Sequence, residues 1–87
     1  MYKLRDLWGA AFLIAQGHSE PTLTPVEERP GLWEFGFEDT PAARACYQQF
    51  RTGDDTVSAQ AYRRAVRLLK RKLAEQFHAF EDVRERR

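Results

Sequence analysis

Apolar residues recur every three or four positions from Leu4 to Gln16, through Leu4, Leu7, Trp8, Ala11, Phe12, Ile14 and Ala15, and Gly17 follows where a helix commonly ends. This spacing predicts a first helix. The unbroken Phe12-Leu13-Ile14 makes it apolar on most sides, so it should be buried against more than one neighbour. Gly9 inside it costs about 1 kcal/mol relative to Ala, which points to close approach of another backbone or ring.

The pattern then changes period. Residues 18–30 carry Pro21, Pro25 and Pro30, so a strand over "TLTPVEER" is at best an edge strand. Pro30-Gly31 has the chemistry of a type II turn, which fits strand twist less well than the primed types and favours a loop longer than two residues. From Leu32 to Glu38 the chain alternates, with Trp33, Phe35 and Phe37 on one face and Glu34, Gly36 and Glu38 on the other, the mark of a half-buried strand. Asp39 or Thr40 caps a second helix with Pro41 in its first turn, Ala43, Cys46, Tyr47 and Phe50 facing inward, and Gly53 at its end. Ser58 opens a long helix to about Phe80, on which Tyr62, Val66, Leu69, Leu73, Phe77 and Phe80 share one arc. The predicted fold is a small single α+β domain in the order helix-strand-strand-helix-helix. A two-stranded antiparallel hairpin packs on three helices, compact over about 3–80, with a charged tail at 81–87.

Composition adds bounds rather than identity. At 87 residues, 43% hydrophobic and 31% charged, the chain is one folded domain of modest core, for which association is a ready source of added stability. Its longest uncharged apolar run, Leu7 to Ala15, is too short to cross a membrane, and no membrane association is expected. Lys3 and Arg5 before that run resemble the start of a signal peptide, but Asp6 interrupts the pattern, and removing the segment would strip the domain of apolar material. A single cysteine, Cys46, allows no internal disulfide and suits a reducing cytoplasmic location.

Three segments, "RDLWGAAFLIAQG" at 5–17, "WEFGFED" at 33–39 and "VSAQAYRRAVRLLKRKL" at 57–73, resemble a family of short bacterial and phage-associated proteins catalogued only as a domain of unknown function. The resemblance covers roughly residues 3–75 and rests on an Ala-rich Asp-Leu helix ending in Gly, an aromatic strand ending in an acidic pair, and a helix of spaced Leu and Lys. It departs at Leu4, where the family pattern has a Ser or Thr cap. The resemblance implies a compact mixed domain and carries no activity, cofactor or site.

Charge is where the chemistry lies. Residues 1–56 hold five basic and nine acidic side chains, whereas 57–87 hold nine basic and four acidic, so the chain is electrically two-ended. Arg63, Arg64, Arg67, Lys70 and Arg71 gather on the outer side of the last helix, with almost no acidic residue at helical spacing to neutralise them. They are the candidate nucleic-acid-binding residues. Leu69, Leu73, Phe77 and Phe80 are the candidate protein interface: a helix of about 23 residues is roughly 35 Å long and should project beyond a small core, offering an apolar seam to a partner or a second copy. The primary expectation is a non-enzymatic protein that binds another protein or itself through that seam; nucleic-acid binding is the alternative.

The aromatic row Trp33, Phe35, Phe37 could serve as a stacking platform, but a two-stranded hairpin must lay a face on helices to be stable, so the row is expected inside. Trp8 could join the same cluster, its indole N–H then needing a partner if buried. His18, His78 and Cys46 lack the spacing of a nucleophile and base, and neither His18 with Glu20 nor Asp54 with Asp55 matches a zinc or calcium pattern. No catalytic residue, metal, cofactor or small-molecule ligand is expected.

Overall fold

A computed structural model describes the backbone of residues 1–53 and 56–85 and the side chains of 1–53 and 56–76. It is an α+β domain with the elements β1 (Tyr2–Leu4), α1 (Leu7–Ala15), β2 (Thr22–Pro25), β3 (Trp33–Phe37), α2 (Pro41–Thr52) and α3 (Ala59–Glu85). The sheet has three strands in the order β1-β3-β2, all antiparallel. The expected hairpin is therefore present as β2-β3, and a short N-terminal strand completes it on the far edge of β3.

That strand corrects the start of the first helix. Leu4 pairs with Phe35 and is 4% exposed, so it belongs to the sheet. Asp6 is the helix cap, its carboxylate accepting from the Trp8 N–H at 3.1 Å. At the other end Gly17, with φ 102°, lets the His18 N–H reach back to the Leu13 carbonyl at 3.1 Å, closing the helix by a left-handed turn. Thr40 caps α2 by accepting from the Ala43 N–H at 3.1 Å, with Pro41 at the first helical position. Ser58 caps α3 through the Ala61 N–H at 3.3 Å. Pro30-Gly31 forms the expected turn, the Leu32 N–H donating to the Arg29 carbonyl, within a loop closed by Val26 N–H to Leu32 carbonyl at 3.0 Å. α3 continues past Phe80 to Glu85, longer than the apolar spacing predicted.

Cross-strand register puts Tyr2, Leu4, Leu23, Trp33, Phe35 and Phe37 on one face. Leu4, Phe35 and Phe37 join one continuous core with Ala10, Ala11, Phe12 and Leu13 of α1, Ala43 and Cys46 of α2, and Ala65 and Leu69 of α3. Phe35 and Phe37 of the aromatic row thus lie in the core as expected, whereas Trp33, half-buried at the loop end and paired with Pro25, does not join it. The opposite sheet face is polar: Glu34 accepts from Arg5 at 3.0 Å and lies 3.8 Å from Lys3.

α1 is the centre of the molecule, packed against both α2 and α3. Gly9 is buried where the Tyr47 ring crosses the helix, the close approach its position suggested. Among the described residues no helix is long and apolar enough to cross a membrane.

Candidate nucleic-acid interface

The position of α3 follows from its apolar residues. Ala65 and Leu69 are buried, while Tyr62, Val66 and Leu73 pack partly buried against the core. With that face committed to α1, 100° per residue turns Arg63, Arg64, Arg67, Lys70 and Arg71 to the solvent side, and all five are exposed. The sequence-predicted basic set is therefore brought together on one helix surface.

Its charges are left uncompensated. Four of the six other described Lys and Arg side chains have partners: Arg5 and Lys3 share Glu34, Arg44 meets Asp39 at 2.7 Å, and Lys72 meets Glu20 at 2.8 Å, whereas Arg29 and Arg51 have no ion pair among the described residues. The Asp39 pair is tight enough that hydrogen bonding from Arg44 lowers the Asp39 pKa and raises that of Arg44. Among the described residues, none of the five α3 cations has an ion pair. Arg63 with Arg67 and Arg67 with Arg71 are like charges at i,i+4, each pair costing a few tenths of a kcal/mol. A shallow, open groove runs between the side chains of Arg64, Arg67, Leu68 and Arg71 on this surface. Three arginines on one open helix face suit phosphates or other oxyanions, which each guanidinium can meet with paired N–H donors.

The other candidate surface fares differently. Leu69 is fully buried and so offers no surface to a partner, while Leu73 packs partly buried against the core and keeps some exposed surface. Period alone could not separate an inward stripe from an outward one. The Phe77 and Phe80 side chains lie outside the described residues, as do the His78 side chain and Asp54 with Asp55. Cys46 is buried in the core on α2, and His18 sits half-buried just past α1. Among the described residues no three of His, Cys, Asp and Glu converge as metal ligands would.

Trp8 is the residue that periodicity misplaced. It is 51% exposed rather than part of the aromatic core, and the Lys70 ammonium lies 5.9 Å from its ring centroid. Its backbone is anchored, the carbonyl accepting from the Tyr62 hydroxyl at 3.0 Å. Burial, and secondarily the nearby Asp6 carboxylate, raise the Tyr62 pKa. A residue within helical period of a core can still be left outside where its neighbours do not reach.

Comparison with protein-family models, curated proteins and solved structures found no match for this chain.

Proposed function

We propose that this is a non-enzymatic, cytoplasmic nucleic-acid-binding domain whose binding surface is the exposed face of α3. The observation that supports the reading is the set of five exposed cations without ion pairs among the described residues, in a chain that pairs its other described cations far more often. Such a face lowers its own repulsion by binding a polyanion, and the release of counterions from the polyanion supplies the driving force.

The test is fluorescence-anisotropy titration of labelled oligonucleotides at about 50 and about 200 mM salt. With up to five phosphate contacts, affinity should fall roughly a hundredfold to several hundredfold across that range. Reversing charge at Arg67→Glu with Arg71→Glu should abolish binding and flatten the salt dependence. Binding that survives both reversals, or no binding at the lower salt, would sink the reading.

A protein partner, a second copy included, is the other reading. It is favoured by the run of α3 to Glu85, well past Leu73. Sedimentation equilibrium across a wide concentration range separates the two, since self-association would raise the apparent mass in the absence of nucleic acid.

A further inference from the structure

We propose that Trp8 is a base-stacking element beside the α3 cations, and that the ligand is therefore single-stranded nucleic acid rather than duplex. The inference rests on the nucleic-acid reading of α3 and adds the substrate class. A lone exposed ring is ordinary on a protein surface. Three features distinguish this one.

First, its mounting is rigid. Trp8 is the second residue of α1, and both its backbone polar groups are engaged, the N–H by the Asp6 carboxylate at 3.1 Å and the carbonyl by the Tyr62 hydroxyl at 3.0 Å. The second of these bonds ties the residue directly to α3. An exposed indole on a fixed backbone loses little further freedom when a base covers it.

Second, its neighbour is a cation of the basic face. The Lys70 ammonium lies over the indole ring, 5.9 Å from its centroid, and Lys70 is three residues from Arg67 and seven from Arg63, one helical surface. A base stacking on the indole takes the place of the Lys70 ammonium over the ring or uses the other face, which leaves Lys70 to meet its phosphate and Arg64, Arg67 and Arg71 to meet neighbouring ones. Aromatic platform beside cationic track is the arrangement that single strands require.

Third, a duplex leaves that platform unused. Its bases are already stacked and paired, so the half-exposed indole would gain contact only by prying a step apart, at a cost of a few kcal/mol. A single strand offers free base faces.

Replacing Trp33→Phe leaves Trp8 as the sole tryptophan and turns its emission into a local probe. Oligo-dT of about 15 nucleotides, within the range one small domain can occupy, is titrated against this variant. A duplex of the same length is titrated in parallel. Binding of the single strand should quench Trp8 emission. In the parent chain, Trp8→Ala should weaken single-strand binding roughly five- to a hundredfold and leave duplex binding unchanged, with Trp8→Phe recovering part of the loss. Circular dichroism confirms that each variant is folded. If oligo-dT binding is salt-sensitive and abolished by the α3 reversals, yet Trp8→Ala has no effect and no quenching occurs, the stacking role falls and the α3 reading stands. Equal Trp8 dependence for single strand and duplex overturns the single-strand assignment. Absence of binding to either ligand at low salt removes both.

Discussion

Replacing Gly9 with Ala sets helix propensity directly against packing. Propensity alone predicts a gain of about 1 kcal/mol, because Gly is the poorest non-proline residue inside a helix. The structure predicts a loss. A methyl at Gly9 would stand 2.9 Å from Tyr47 Cδ1, closer still to Cε1, and 3.0 Å from the Asp6 carboxylate that caps the helix. The Tyr47 ring cannot retreat freely, since it stacks on Phe50 at 6.1 Å and meets Tyr2 edge-on at 6.3 Å. Overpacking of this kind costs about 1–3 kcal/mol, and displacing an aromatic pair adds about 0.5–1.5 kcal/mol. Subtracting the propensity gain leaves a net loss of about 0.5–3.5 kcal/mol, at roughly 4–8 °C in Tm per kcal/mol for a domain of this size. Thermal unfolding followed by circular dichroism measures it. The decisive control is the same substitution in a Tyr47→Ala background, where the ring is gone and only the Asp6 contact remains, so Gly9→Ala should shift from destabilising toward the propensity gain of at most about 1 kcal/mol. A Tm that rises on Gly9→Ala with Tyr47 intact would refute the packing argument.

Two further outcomes test the core and the surface. Leu69→Ala removes a side chain with no exposed area and should cost about 2–5 kcal/mol in urea unfolding; a loss below about 1 kcal/mol would contradict its place in the core. Asp39 has a folded pKa below its ordinary value because Arg44 donates to its carboxylate. Its contribution is therefore present above the unfolded pKa of about 3.9 and is lost as pH falls through the lower folded value. Tm measured from about pH 6 to about pH 2 should show the difference between the parent and Asp39→Asn shrinking in that acid window, and a constant difference would count against the pair.

Much of this architecture is local and was legible as pattern. The Thr40 cap with Pro41, the Gly53 and Gly17 helix ends, the Pro30-Gly31 turn and the alternation of β3 each depend on a few adjacent residues. The outward grouping of Arg63, Arg64, Arg67, Lys70 and Arg71 followed the same logic, because helical period alone places them opposite Leu69. What escaped was whatever depended on a distant partner. Tyr2-Lys3-Leu4 is too short to display alternation, and Leu4 also fits the period of the following helix; only the free edge of β3 makes those residues a strand. Trp8 likewise fits the apolar set of α1, and the paths taken by α2 and α3 over that helix leave its ring in solvent beside Lys70. Leu69 could be read as an interface residue until α3 lay on α1 and enclosed it. Sequence by itself determined the local elements, their ends and the charged face, through backbone preference and periodicity. Tertiary structure alone decided which apolar residues were covered, because burial depends on the neighbours that long-range packing supplies.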